Sequence, residues 1–197
     1  MDMENNIKGT TTCGIIAKDC VILAAETKST MGNLVISKED KKIYQLDEKI
    51  AITTSGAVGD LQQLIRIVKA EISLYKMESS ITVNSVATLI SNILQSVRYF
   101  PYLVGLIVGG VDSSGPRLFG IDAIGGITED KYISSGSGSP IVYGILEKDY
   151  REDMEREEAI KLAVDAIKSA RERDVYSGGK RIDVAVITKD GIDFLTF

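Results

Sequence analysis

The hydrophobic period of this chain changes in blocks, and the order of those blocks restricts its fold more than any other feature. Strand-like runs at residues 11–17 and 20–26 flank a tight Lys18-Asp19 turn. An irregular stretch at 27–33, broken at Gly32, comes next. Residues 42–46 and 49–54 read as a second strand pair, ending at Ser55-Gly56, a reversal that needs a permissive backbone. The period then lengthens. Apolar side chains at 61, 64, 65, 68, 72 and 75, and again at 83, 86, 87, 90, 94 and 97, form two helical stripes. Asp60 suits the cap or first turn of the first helix, and Thr82 the cap of the second, which stops before Pro101. Strands return at 103–111, 117–121, 126–129 and 132–135. Ser139 as N-cap, with Pro140 at the first helical position, opens a helix to about Lys148. A longer helix spans 156–174 on the stripe 159, 160, 163, 166, 167 and 170, and strands at 182–188 and 192–197 follow.

Strands and helices therefore alternate as blocks, not one by one. That order favours two packed sheets covered by helices over a doubly wound parallel sheet, so the expected class is α+β. At 197 residues, with no tandem repeat and no linker, the chain reads as one domain.

Composition narrows the chemistry. Histidine is absent, which removes Ser-His-Asp, Cys-His and His-ligated zinc sites together. A net charge of −5 leaves no basic footprint for nucleic acid. No apolar run reaches the roughly 18 residues of a membrane span. Residues 1–9 are polar with both signs of charge and lack the apolar core of a signal peptide, so they read as a short leader on a cytoplasmic protein. Cys13 and Cys20 lie on adjacent predicted strands, near enough to meet, and read as buried small hydrophobes in a reducing compartment.

Without histidine, the informative segment is Gly9-Thr10-Thr11-Thr12. A threonine freed by cleavage after Gly9 carries its own base, because its α-amine can take the hydroxyl proton. That amine has a reference pKa of about 7.7–8.0, close to neutrality. The same tetrapeptide equally suits the polar start of a strand. An N-terminal threonine also needs a cation beside its hydroxyl, an acid to orient that cation, and an oxyanion hole. Lys42 at a strand start and Glu26 at a strand end can meet near Thr10 if their strands lie beside the first, or can form an ordinary surface salt bridge. Gly56 can present an unobstructed N–H to an oxyanion, or simply make a strand-to-helix turn. Ser137, in Gly136-Ser137-Gly138, can hydrogen-bond an amine; the segment lacks the spacing of a nucleotide-binding loop. Asp174 and Ser177 can help hold that amine or cap the end of a helix.

Taken in order, these segments resemble the archaeal-type proteasome β subunits, a family of N-terminal-nucleophile hydrolases. The resemblance is carried by Gly9-Thr10-Thr11-Thr12, Thr30-Met31-Gly32-Asn33, Lys42-Ile43-Tyr44-Gln45, Ser55-Gly56 with Gly59-Asp60, and Arg98-Tyr99-Phe100-Pro101-Tyr102. It continues through Gly109-Gly110-Val111-Asp112, Gly136-Ser137-Gly138-Ser139, and Arg173-Asp174 with Ser177-Gly178. It implies a four-layer αββα sandwich of two antiparallel sheets flanked by helices. It implies a propeptide at 1–9, removed by autocatalytic cleavage between Gly9 and Thr10, and a single catalytic domain at 10–197. Thr10 would be the nucleophile, Lys42 its neighbouring cation and Glu26 the orienting acid. Ser137, Asp174 and Ser177 would support the amine and its proton path, with the Gly56 N–H as oxyanion hole. Main-chain groups of Thr30 and Gly56 would hold substrate as an added strand, and Ser29, Asp40, Tyr44, Thr54 and Val58 would line the pocket for the side chain before the cut.

The implied activity is a threonine endopeptidase without metal or organic cofactor. The implied partners are other β subunits in seven-membered rings, a flanking ring of α subunits, ATP-dependent unfoldase caps acting indirectly, and unfolded polypeptides. The chain departs from the family pattern in three places. Cys20 stands at a position usually held by a small turn residue, and Ser177-Gly178-Gly179-Lys180-Arg181 replaces the usual Ser-Gly-Asp-Gly. Thr54 and Asp40 make the pocket partly polar. A non-catalytic ring subunit and an amidase acting on small amides are the rival readings.

Overall fold

A computed structural model describes residues 9–197. The expected propeptide lies outside the described residues except for Gly9. In chain order the elements are β1 (Thr11–Ile16), β2 (Val21–Glu26), β3 (Ser29–Met31), β4 (Leu34–Ser37), β5 (Ile43–Asp47), β6 (Ile50–Gly56), α1 (Val58–Tyr75) and α2 (Val83–Ser96). They continue as β7 (Val104–Asp112), β8 (Gly115–Ile121), β9 (Ile127–Glu129), β10 (Tyr132–Gly136), α3 (Ser139–Asp149), α4 (Arg156–Arg173), β11 (Ile182–Thr188) and β12 (Gly191–Thr196).

Two five-stranded antiparallel sheets result, ordered β10-β1-β2-β11-β12 and β5-β6-β7-β8-β9. Strand period explains how they stack. On β2, Ile22 and Ala24 face α3 and α4, whereas Val21, Leu23 and Ala25 face the second sheet. On β7, Leu106 and Val108 face α1 and α2, whereas Ile107 faces the first sheet. Both central strands are therefore apolar on both sides, as strands in a sandwiched layer must be. Three apolar layers follow, one between the sheets and one under each helix pair. The fold is the expected αββα sandwich of the α+β class.

Several local expectations shift. The stretch expected to be irregular at 27–33 belongs to a hairpin of β3 and β4 around Gly32-Asn33, a recognised two-residue turn signal. It escapes a pattern reading because Met31, Leu34 and Ile36 are all exposed, which leaves no buried face to create alternation. Ser55 and Gly56 are the last residues of β6, so the chain turns at Ala57. Helix α1 starts at Val58, and Asp60 in its first turn accepts a hydrogen bond from the Leu103 N–H at 2.8 Å. Gly138, not Ser139, caps α3; Pro140 is tolerated one residue later because first-turn N–H groups have no partner within the helix. Thr82 caps α2 reciprocally with Ser85. Among the described residues no helix is long and apolar enough to cross a membrane.

The two cysteines are buried and free, but they are not neighbours. Cys13 pairs with Ala24 and Cys20 with Ala17, a four-residue offset along the hairpin. At ~3.3 Å per residue that offset separates them by about 13 Å, well beyond disulfide reach. Burial pushes the Cys13 thiol up to about 12 and the Cys20 thiol up to about 11. Neither thiol is expected to react with an aromatic disulfide reagent at pH 8 in the native protein, and both are expected to react in denaturant. A rapid native titration of one thiol would contradict this packing.

Candidate active site

Thr10 lies immediately before β1 and is buried. Pairing of Thr12 with Ala25 places Glu26, the last residue of β2, beside Thr11. The Thr11 N–H donates to Glu26 Oε1 at 3.2 Å. Lys42 precedes β5 in the other sheet, and its Nζ donates to Glu26 Oε1 and, at 2.5 Å, to the Lys28 carbonyl. The lysine and glutamate side chains are 5% and 0% exposed, which makes this a buried pair and not the surface bridge that spacing alone allowed.

A carboxylate survives in such a place only if its oxygens are fully engaged. Glu26 Oε2 takes the N–H groups of Lys28 at 2.6 Å and Gly178 at 2.9 Å, while Oε1 takes Thr11 and Lys42. Burial lowers Lys42 below the ordinary lysine value, and the charge and hydrogen bond of Glu26 pull it partly back up.

One small cavity of about 130 Å³ gathers most of the remaining candidates. Gly9, Thr10, Lys42 and Gly56 line it. So do Ser29, Thr30, Asp40, Tyr44, Thr54 and Val58, which are all the residues expected to contact substrate. The Thr10 hydroxyl donates to the Gly9 carbonyl inside it. Tyr44 donates to the Lys41 carbonyl at 2.9 Å, and burial together with the Asp40 charge raises its phenol. A larger hollow of about 630 Å³ lies between α1 and α2, but it carries no buried ion pair and is remote from Thr10.

Gly56 is required for its permissive backbone, as the sequence suggests, and for a close approach that the sequence does not reveal. Its φ is +120°, and a Cβ there would lie 2.0 Å from the Leu103 carbonyl oxygen. The Thr54 N–H reaches the Lys42 carbonyl on the β5 side, and the Ala57 N–H reaches the Leu103 carbonyl on the β7 side. Strand alternation then aims the Gly56 N–H to the β5 side, beyond the start of β5 at Ile43 and toward the cavity.

Ser137, Asp174 and Ser177 do not line that cavity. They form a separate hydrogen-bonded group. Ser137 and Ser177 donate to Asp174 Oδ2 at 2.6 and 2.5 Å, and the Ser137 hydroxyl lies 3.4 Å from the Thr10 carbonyl. Asp174 sits at the C-cap of α4, so the end of that helix fixes the group.

Sequence reasoning missed three contributors. Thr11 touches both Glu26 and Ser177, Lys28 serves Glu26 and Lys42 through its main chain, and Gly178 donates to Glu26. The only available signal was the unusual Gly178-Gly179 pair, whose partners lie some 150 positions earlier in the chain.

Removing one member of the buried pair strands the other. Glu26→Ala is expected to lower stability by about 3–5 kcal/mol, and Lys42→Met in the same chain to recover part of the loss, as read by chemical denaturation. Equal stability of Glu26→Ala and the unmodified chain would contradict the burial described.

Comparison with known proteins places these observations in a group. Residues 7–187 match the family described as Proteasome subunit. The chain is 51% identical over 193 residues to the proteasome subunit beta of Methanosarcina barkeri, covering 96% of this chain and 91% of that protein. It is 51% identical over 196 residues to its counterpart in Methanocaldococcus vulcanius (98% and 87%), and 53% identical over 190 residues to that of Methanocaldococcus fervens (94% and 84%).

Proposed function

This chain belongs to the proteasome subunit family, and on that footing we propose that it is a β subunit that cuts polypeptides with Thr10 as an N-terminal nucleophile. The observation that carries the reading is the buried Lys42–Glu26 pair at the same small cavity where the Thr10 hydroxyl meets the Gly9 carbonyl.

Two reactions share that hydroxyl. In the first, Thr10 Oγ1 attacks the Gly9 carbonyl carbon and the Gly9–Thr10 C–N bond breaks, leaving Gly9 as an ester on the threonine. The hydroxyl proton passes to the departing nitrogen, so this break frees the Thr10 amine; water then hydrolyses the ester, releasing residues 1–9 and restoring the Thr10 hydroxyl. Gly9 has φ +148°, a conformation open to glycine, and a Cβ there would crowd the Thr30 hydroxyl at 3.1 Å. Until this step the amine is tied up as an amide, so the propeptide keeps the subunit inactive.

In the second reaction the free amine, directly or through a water, takes the hydroxyl proton, and the oxygen attacks a substrate carbonyl. The Gly56 N–H receives the oxyanion. The tetrahedral intermediate expels the leaving amine, which takes up the proton, and an acyl-enzyme ester remains for water to cleave. Lys42, held by Glu26, favours the ionised oxygen. Ser137, Asp174 and Ser177 hold the amine and relay its proton. Substrate lies extended between Thr30 and Gly56, with its side chain toward Ser29, Asp40, Tyr44, Thr54 and Val58. No metal or organic cofactor enters either reaction.

A nucleophile this tolerant of sequence needs confinement. Seven-membered β rings stacked between α rings would supply it in the cytoplasm, with unfolded chains fed by ATP-dependent unfoldases.

Co-production with cognate α subunits and intact-mass measurement tests the first reaction. The assembled subunit is expected to lack residues 1–9, whereas Thr10→Ala is expected to keep them and to lose peptidase activity. A full-length unmodified chain in a complete assembly would favour a non-catalytic ring subunit instead, and failure to co-assemble would favour an amidase. The second reaction predicts a pH profile. The amine acts only when neutral, so kcat/KM is expected to fall as pH drops through about 7.7–8.0, the ordinary range of an α-amine. A flat profile from pH 6 to 9 would remove the amine from the role of base.

A further inference from the structure

The buried acid–base pair and the serine–aspartate group are separate clusters, yet one residue touches both. Thr11 donates its main-chain N–H to Glu26 Oε1, which also holds Lys42, and its side-chain Oγ1 lies 2.5 Å from Ser177 Oγ. The direction of that second contact follows from counting protons. A serine hydroxyl has one proton to give. Ser177 gives its proton to Asp174 Oδ2 at 2.5 Å, so it can only accept from Thr11. Ser137 likewise gives its proton to Asp174, its much longer contact being to the Thr10 carbonyl. A directed chain results: the Thr11 hydroxyl donates to Ser177, Ser177 to Asp174, and Ser137 to the same carboxylate oxygen. Among the described residues the other oxygen, Oδ1, takes only the Tyr176 N–H, at 3.3 Å.

The surroundings leave Thr11 Oγ1 in one place. Thr11 is fully buried, and a Cβ at residue 138 would fall 2.0 Å from its hydroxyl oxygen and 3.0 Å from the Ala170 methyl. Only glycine at 138 leaves room for that oxygen. Thr11 does not line the substrate cavity.

We propose that the Thr11 hydroxyl is a positioning element for catalysis, locking Ser177 and through it the Asp174–Ser137 group beside Thr10. It acts through hydrogen bonds and touches no substrate. The proposal rests on the reading of Thr10 as the nucleophile. Chains of aligned donors polarise one another, so loss of the first donor loosens the rest.

The test uses the subunit assembled with its α partners and a fluorogenic peptide as probe. Thr11→Val removes the donor, Thr11→Ser keeps it, and Thr10→Ala serves as control. Thr11→Val is expected to lower kcat about tenfold, the weight of one net hydrogen bond, with KM within about twofold. Thr11→Ser is expected to stay within about threefold of the unmodified kcat. In a Ser177→Ala background, Thr11→Val is expected to add no further loss, because its route to the site is already cut. Should Thr11→Val not assemble, Thr11→Ala removes the same donor without bulk and carries the comparison. Unmodified kcat in the donor-free variants, equal loss in Thr11→Ser, or additive losses with Ser177→Ala would overturn the positioning role while leaving the nucleophile in place. Full activity in Thr10→Ala would overturn both.

Discussion

The two sheets of the sandwich are tied together beside Thr10 by the buried Lys42–Glu26 ion pair. Lys42 enters from the edge of one sheet and Glu26 ends a central strand of the other, so their contact bridges the two layers. Taking both charges out of water costs several kcal/mol per ion, and their mutual attraction offsets this only when the remaining hydrogen-bonding capacity is used. Here the carboxylate draws its donors from the start of β1, the residue after the Glu26-Thr27 step, the loop beyond α4, and Lys42 itself. Four chain segments are thereby held to one side chain. The pair organises the site even if it adds little net stability.

Around that anchor two groups of side chains stand apart. On the proposed reading, substrate would enter the small cavity lined by Thr10, Lys42 and the end of β6. Proton handling would fall to the Ser137–Asp174–Ser177 group at the end of α4, whose members do not line that cavity. Thr10 stands between them, with its hydroxyl toward Gly9 and its carbonyl toward Ser137. Such an arrangement suits a nucleophile whose base is its own amine. On that reading the reacting oxygen would face the substrate, while the groups that steady the amine would stay out of its way.

The absence of histidine gives this division its force. An enzyme with an imidazole can place its base by rotating one side chain. An α-amine has no such freedom, since its position is set by the strand that follows it. If the Thr10 amine is the base, as proposed, its precision would have to come from β1, which is buried between β10 and β2 with the main chain of Thr11 fixed to Glu26.

The sequence by itself determined most of the block order of strands and helices, hence two packed sheets covered by helices, because period-2 and period-3.6 patterns survive in any sufficiently buried element; the four-layer order came from the family resemblance. The resemblance also pointed to Thr10, Glu26 and Lys42, and the fold brings Lys42 and Glu26 into a buried pair while Thr10 and Lys42 line one cavity. The sequence did not reveal the β3–β4 hairpin, whose exposed apolar residues have no buried face to create a pattern. Nor did it reveal the close approach at Gly56, or that Thr11, Lys28 and Gly178 serve Glu26 and its surroundings. Those facts depend on which groups the fold brings together, at separations from 2 residues for Lys28 and Glu26 to 152 for Gly178 and Glu26, and local periodicity carries no record of such partners. Only the tertiary structure decided them, by fixing which backbones approach each other and, around Glu26, by burying a charge that neighbouring donors then had to satisfy.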